Sequence, residues 1–576
     1  MSSSAGGFRS RSRSGDKQKA PDSAGNRSTH TKKDSRNSPR DKRRARGGDE
    51  QKRPVRAKQA KAQRAKVGVH AAGVDKPRLL AFEVLNRVSD DDAYANLVLP
   101  KRLREVGLSG RDAAFATEII YGCLRNLGII DTVVADCSSR ELESLATPVL
   151  NALRLGAYQL LFTRVDDHAA VDTSVRLVES AGHEKAKGFV NGILRTIGRT
   201  PAQEWIKDLR PAGLLAGLAF EHAHPEWVAR SFNAALWAST SATEHDESPA
   251  DLGDLNSAPL HPELASTLAA DSQRPLVHLV ARPGEISAEE LALMTGGEQG
   301  NYSPYAVYLE SGGNPGALEP VQQSLAAVQD EGSQLIARAV AEVELSGADS
   351  GRWLDLCAGP GGKAALLGAL ARIDGARVDA VEISQHRAKL IRSTVADLPV
   401  TVHVADGRDP GLEPGYDRVL VDAPCSGLGA LRRRPEARWK KDDADIAELN
   451  VLQTELLQSA LRLVRPGGVV IYSTCSPDLR ETRGIVDAVI GSGAALDSGT
   501  VPDSDTASDS GAASDSGAAT SSIKNPRVIE LPAAAVLPEM PGISSEPAGT
   551  PLSAQMWPHR HGTDAMFFAV LQRALD

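Results

Sequence analysis

Cysteine is scarce in this sequence. There are five in 576 residues, Cys123, Cys137, Cys357, Cys425 and Cys475, too few and too scattered for a disulfide framework. No two of them stand in C-x-x-C spacing, so a structural zinc site, and with it any bound metal, is not expected. A reducing, cytoplasmic setting fits that usage best. No run of 18 or more apolar residues occurs, so no membrane span is expected. The N-terminus carries Arg and Ser without the apolar stretch of a secretory signal. Large apolar residues are almost missing from residues 1–74, which cannot bury enough surface to offset the entropy of ordering.

What is present is unevenly charged. The whole chain has a net charge of −8. Residues 1–66 alone hold 21 Lys and Arg against 6 Asp and Glu, an excess of 15 positive charges. The rest therefore holds 45 basic against 68 acidic residues, a balance of −23. A basic tail on an acidic body suggests a polyanionic partner for the tail, or a tail that serves only solubility.

The length is that of three or four domains. From Asp75 onward Leu79, Leu80, Phe82, Val84, Leu85 and Val88 recur at helical spacing. Further helical patterns cover 112–126, 145–162, 168–181 and 184–197, with no strand-like run before about residue 200. Residues 205–235 also read as helical, and 240–258 as an acidic loop. Leu276–Ala281 reads as a strand and 287–294 as a helix, within a small α+β module at about 271–330. Beyond 331 the period alternates. Strand-like Trp353–Leu356, Val378–Val381, Val400–Val404, Arg418–Val421 and Val469–Tyr472 are separated by helical patterns at 363–372, 384–397 and 445–464. That alternation predicts a doubly wound parallel sheet. Residues 491–522 break it with a small-residue acidic repeat, Ser508–Ala513 then Ser514–Ala519, expected to be a disordered insertion. Strand signals return at Val528–Leu531 and Met566–Leu571.

Asp355-Leu-Cys-Ala-Gly-Pro-Gly-Gly-Lys363 falls between the first of these strands and the next helix. Its glycines permit a tight turn and close approach to a ligand. A phosphate-binding loop of the G-x-x-x-x-G-K-[ST] type is excluded, because Cys357 takes the first glycine position and Ala364 follows the lysine. The dinucleotide pattern survives only in its Gly-or-Ala form, with Gly359, Gly361 and Ala364. Glu382 ends the second strand, where a carboxylate can accept ribose hydroxyls, and Asp406 follows the third, beside an adenine edge. The two acids together favour a bound adenosine, and a methyl donor has no pyrophosphate to cradle.

Asp422-Ala-Pro-Cys425-Ser-Gly follows the fourth strand and Ser473-Thr-Cys475-Ser the fifth. In a doubly wound sheet both strand ends open on one crevice. Two thiols beside a methyl donor suit methylation of C5 of cytosine, a poor nucleophile until a thiolate adds to C6. Asp422 is the candidate acid near N3. Lys363, Arg432, Arg433 and Arg434 are the candidate cations to lower the thiol pKa. Residue logic alone leaves open which cysteine attacks.

Several stretches resemble known families. His168-Ala-Ala-Val-Asp-Thr-Ser-Val-Arg-Leu-Val and Lys187-Gly-Phe-Val-Asn-Gly-Ile-Leu-Arg195 resemble the NusB-like RNA-binding domain. The 355–363 loop, the two cysteine motifs and Arg432-Arg-Arg-Pro-Glu436 with Trp439 resemble the RNA cytosine-5 methyltransferase family. With the helical domain added, the likeness is to the group of ribosomal small-subunit methyltransferases B, over about 75–490 and 524–576. The resemblance implies a Rossmann-like α/β S-adenosylmethionine methyltransferase domain at 331–576. Before it would come a basic tail at 1–74, an all-α NusB-like domain at 75–205 and a connector with the α+β module at 206–330. It implies RNA, most of all ribosomal RNA, as partner and S-adenosyl-L-methionine as cofactor. It makes Cys475 the nucleophile and Cys425 the group that helps release product. Cys357, Ala358, Gly359, Pro360, Gly361, Gly362, Lys363, Glu382, Asp406 and Asp422 would line the cofactor site. Two departures stand out: Ala364 where the family commonly has Thr, and Ala565-Met566 where the closing Gly562–Phe568 stretch usually has glycine. The alternatives are transfer RNA as substrate, a non-catalytic RNA-binding or antitermination-type factor, and a DNA cytosine methyltransferase. The sequence leaves the oligomeric state and the target nucleotide open.

Overall fold

The computed structural model describes residues 73–91, 93–239, 259–310, 313–494, 526–541 and 552–575. The basic tail, apart from residues 73 and 74, lies outside that range, as does the acidic stretch at 240–258.

The N-terminal part of the described chain is all helical. Asp75 caps Lys76–Asp90 by accepting from the Arg78 N–H (3.0 Å), and Pro77 sits in the first turn, where no amide hydrogen is needed. Leu80, Val84, Leu85 and Val88 bury one stripe of this helix against Ile119, Ile120 and Cys123 of Gly110–Arg125. Leu153, Leu155 and Ala157 of Thr147–Phe162, Leu177 of Asp167–Ser180 and Leu194 of Lys187–Ile197 complete the core. Two helices that the periodicity did not pick out, Ala95–Val106 and Leu127–Cys137, belong to the same bundle. Among the described residues no single helix is long and apolar enough to cross a membrane. The bent pair Gly110–Arg125 and Leu127–Cys137 passes that test jointly, but it buries Ile119, Ile120, Ile129 and Ile130 in this bundle.

The helical stretch expected at 205–235 is three helices, Ala202–Leu209, Leu214–Glu221 and Glu226–Ala238. Pro211 and Gly213 end the first, and His224-Pro225 ends the second, since proline cannot continue the ladder. A four-stranded antiparallel sheet follows, built on Val277–Ala281, with Ala288–Thr295 packed on it.

The larger sheet has strands β1 (Arg352–Asp355), β2 (Arg377–Val381), β3 (Val400–His403), β4 (Tyr416–Asp422), β5 (Val464–Thr474), β6 (Val528–Leu531), β7 (Ala554–Gln555) and β8 (Phe567–Arg573). Their order is β6-β8-β5-β4-β1-β2-β3, with β7 paired to β8. The five strands from β3 to β5 run parallel, and β8 lies antiparallel on β5. Alternation assigns the two faces. Trp353, Leu420, Val469 and Ile471 pack under Glu331–Glu342 and Gly362–Asp374. Leu354, Val419, Val421, Val470 and Tyr472 pack under Asp445–Leu463 and Arg483–Ala494. Both faces are covered, as near-continuous apolar strands require. The helix Arg483–Ala494 runs through residues 491–494, where the sequence pattern was expected to break, because Ile485, Val486 and Val489 still hold it to the sheet. The remainder of the expected insertion, 495–522, lies outside the described residues.

Candidate active site

The crevice opens at the C-terminal ends of β1, β2, β4 and β5. Asp422 and Ser473 are register partners across β4 and β5, and the Ser473 hydroxyl donates to Asp422 Oδ1 (3.1 Å). Cys425 lies three residues past β4 and Cys475 one past β5, so neighbouring strands deliver both thiols to one place. Their Sγ atoms are 3.4 Å apart. Lys363, at the start of Gly362–Asp374, donates to Asp422 Oδ2 (2.8 Å) and to Ser333 Oγ (3.3 Å).

The two thiols are electrostatically unlike. The hydrogen bond from Cys425 holds the Cys475 thiol below its ordinary value; burial and Asp422 oppose this, and Lys363 and Arg434 add to it. Cys425 is pushed well above the ordinary value by that same bond, by burial, and by the charges of Cys475, Glu481 and Asp422. Cys475 is thus the more acidic thiol of the pair and Cys425 the less acidic, and either sulfur can be the donor in the contact between them. Of the four cations considered from sequence, only Lys363 and Arg434 act on Cys475. Arg432 and Arg433 are engaged elsewhere, pairing through Nε with Asp564 Oδ1 (2.6 and 2.9 Å) and through Nη2 with Asp330 Oδ1 (3.3 and 2.6 Å). Burial alone would raise Asp330, but Arg433, His278 and Arg432 hold its carboxyl well below the usual range.

On the other side, β1 leads into the glycine loop. Gly361 has φ +115°, a conformation a side chain rarely adopts, and caps the following helix. A Cβ at Gly359 would stand 2.0 Å from Glu382 Oε2, so the loop and the Glu382 carboxylate meet only because no side chain intervenes. Glu382 is buried at the end of β2, and its Oε1 accepts from the Ser384 N–H (2.6 Å) and from Arg387 Nε (3.0 Å). Asp406, past β3, is partly exposed, and Arg408 clasps both its oxygens (2.6–3.1 Å). The depression of 400 Å³ beside Asp406 is lined by Arg408, Asp409, Glu455, Gln458 and Arg462 and includes neither Cys425 nor Cys475. Cys357 and Ala358 form the floor of the loop; burial first, then Asp355, Asp422 and Glu382 push the Cys357 thiol well up. Gly362 and Pro360 are exposed at its rim.

Asp355 lies beneath this loop, fully buried, and neither carboxylate oxygen has a well-formed hydrogen bond. The Cys357 N–H compensates only in part, and burial with Asp422 pushes the group up to about 7. Orphaned buried acceptors are rare and call for a reason. Asp422 and Asp355 face Lys363, and Glu382 and Asp406 stand past the ends of the next two strands, an acid excess that suits a cationic sulfonium carrying ribose hydroxyls. The residues present fit S-adenosylmethionine.

Sequence reasoning missed several residues of the site. Gly429 donates its N–H to Cys475 O (2.9 Å) and accepts from the Ala565 N–H (2.8 Å), and a Cβ there would meet Ala565 O at 1.8 Å. Asp330, Asp564, Gln453 and Glu481 hold the loops from afar. Only Asp564 had a sequence signal, its place in the Gly562–Phe568 stretch. Among the described residues no group of three or more His, Cys, Asp or Glu could hold a metal ion.

A doubly wound sheet with an acid-lined glycine loop at its switch point defines an S-adenosylmethionine-dependent methyltransferase. The family described as 16S rRNA methyltransferase RsmB/F matches residues 343–572, and the NusB family matches 75–199. A Mycobacterium tuberculosis protein named as a methyltransferase is 48% identical over 508 residues, 87% of this chain and 97% of its own length. The ribosomal RNA small subunit methyltransferase B of Sodalis glossinidius is 31% identical, over 72% of this chain and 88% of its own. The solved structure of PH0851 superposes with a TM-score of 0.64 at 20% identity, covering 86% of this chain and 98% of that one, and shares the fold. The chain belongs to the RsmB/F family of rRNA methyltransferases, with a NusB-family domain at its N-terminal side.

Proposed function

We propose that this protein methylates C5 of a cytosine in small-subunit ribosomal RNA through a covalent adduct on Cys475. The observation that carries the reading is the pair of thiols at 3.4 Å, one depressed and one raised, beside the Lys363–Asp422 pair. The name of the Sodalis glossinidius relative supports ribosomal RNA as the substrate.

In this reading the Cys475 thiolate adds to C6 and pushes electron density to C5, with Asp422 holding a proton at N3. Residues 357–363, Glu382 and Asp406 would hold S-adenosylmethionine, which when bound would supply an electrophilic methyl group to C5 and leave as S-adenosylhomocysteine. Transfer of the C5 proton to water and return of the N3 proton to Asp422 then break the C6–Sγ bond, restore the aromatic ring and return Cys475 as thiolate. Cys425 assists that release, its thiol hydrogen-bonded to the departing sulfur. The helical domain at 75–205 binds RNA, 206–330 connects it, and 331–576 carries the chemistry, in the cytoplasm.

The test is transfer of tritiated methyl groups to purified small-subunit RNA, transfer RNA and DNA, followed by nucleoside analysis. 5-Methylcytidine in the ribosomal RNA alone is expected. Label on another base, or on DNA, would overturn the reading.

A further inference from the structure

The mechanism leaves unused one fully buried carboxylate that touches both cysteine loops. Glu481 lies six residues beyond Cys475 in the turn that precedes Arg483–Ala494. Its Oε1 accepts from the Ser426 N–H (2.8 Å) and from Gln453 Nε2 (3.1 Å), and its Oε2 accepts from the Ser426 hydroxyl. Gln453 also donates to Pro424 O (2.9 Å), and the Ser426 and Ser476 hydroxyls lie 3.1 Å apart. The Tyr472 hydroxyl closes the network on Glu481 O (2.8 Å). The Ser426 N–H and Gln453 Nε2 meet the carboxylate as donors, and the Ser426 hydroxyl bridges it to Ser476. The residues on either side of Pro424-Cys425-Ser426 and of Cys475-Ser476 are thus tied to one another through this acid.

We propose that Glu481 is a positioning residue that ties the Cys425 loop to the Cys475 loop and sets an acidic group on the Cys425 side of the thiol pair. The assignment rests on the covalent reading above. Cys425 faces Asp422 from the end of β4, Cys475 and Tyr472 from β5, and Glu481 from the following turn. Cys475 faces Cys425, Asp422, Lys363 and Arg434. The cations therefore lie on the Cys475 side and the additional acid on the Cys425 side. A buried acid is a costly element unless it is hydrogen-bonded. Here both oxygens of the Glu481 carboxylate are met by atoms that flank the reacting sulfurs, while Gln453 Oε1 has no partner.

The experiment uses the full chain and reads the pH dependence of iodoacetamide alkylation at Cys425, followed by mass spectrometry in a Cys475→Ala background. This readout needs no turnover, so it stands apart from failure of the covalent reading. Glu481→Gln preserves the hydrogen-bonding shape and removes the charge. It should move the Cys425 profile down by about one pH unit, roughly a tenfold gain in thiolate at a fixed pH. Glu481→Asp retains the charge and shortens the reach. It should leave the profile nearly in place while lowering kcat in the Cys475-containing protein. An unmoved Cys425 profile in folded Glu481→Gln would overturn the proposal. So would a downward shift of a full unit in Glu481→Asp, which decides the matter even if Glu481→Gln does not fold.

Discussion

The glycine loop and the two cysteine loops face each other across one crevice but are held in different ways. Residues 355–363 are shaped by their own backbone: a left-handed Gly361, a Gly359 that leaves room for Glu382, and a helix starting at Gly362. The cysteine loops are held by side chains brought from far along the chain, Glu481 and Gln453 on one flank and the Arg432–Arg433–Asp330–Asp564 cluster on the other. Lys363 joins the two sides, since it belongs to the loop and pairs with Asp422. Damage to the loop should therefore appear as lost cofactor affinity, and damage to the cysteine side as lost chemistry.

Lys363 is where the contrast breaks most sharply. Lys363→Met removes a cation that helps lower the Cys475 thiol and leaves Asp355 and Asp422 facing each other. The Cys475 pKa should rise, and at neutral pH the thiolate fraction should fall roughly 10- to 1,000-fold. Activity should recover as pH is raised. A pH–rate profile that is lower at every pH but unshifted would deny Lys363 that role.

Glu382 tests the opposite side. Loss of a charged hydrogen bond costs about 1.5–3 kcal/mol, so Glu382→Ala should weaken S-adenosylmethionine binding roughly tenfold or more. Gly359→Ala should do the same by displacing the carboxylate, because its new Cβ would overlap Oε2. Calorimetry reads both, and alkylation of Cys475 should be unchanged in each.

Asp355 gives a smaller effect with a defined sign. Its folded pKa of about 7 lies above the ordinary 3.8, so the native state binds the extra proton between those values. Its contribution to stability is thus present at low pH and lost as pH rises toward 7. Asp355→Asn should raise the cofactor-free Tm at pH 8 and change it little at pH 4. The reverse pattern would mean that the carboxylate is stabilised as an anion.

The smallest expected effect concerns residues 1–66. Binding of RNA by this basic segment should weaken with log salt at about 0.7 per neutralised phosphate. A 67–576 variant should show a flatter slope and the same target cytosine. Identical slopes would assign the segment to solubility alone.

The contrast between the two sides also explains what could be read from the sequence. The loop is contiguous, so its glycines, Lys363 and the strand-end acids Glu382 and Asp406 were visible as spacing. The strands of the parallel sheet were visible because apolar runs buried on both faces are short and bounded by turns. Glu481, Gln453 and Asp330 were not visible, because their meaning lies in contacts across 28 to 103 residues of chain. The three arginines looked equivalent in sequence, and only tertiary contacts separate Arg434, which acts on Cys475, from the two held by Asp330 and Asp564. The breaks at Pro211, Gly213 and Pro225 were legible as residues, but the apolar period running across them masked the joints.

The central claim, that Cys475 is the attacking thiol, is tested most directly by trapping on RNA carrying 5-fluorocytidine. Fluorine at C5 blocks the elimination that would release the enzyme. Wild-type protein and Cys425→Ala should each yield an adduct that survives a denaturing gel, and peptide mapping should find the RNA on Cys475. Cys475→Ala should yield none. An adduct on the Cys425 peptide, or one that persists in Cys475→Ala, would contradict the account.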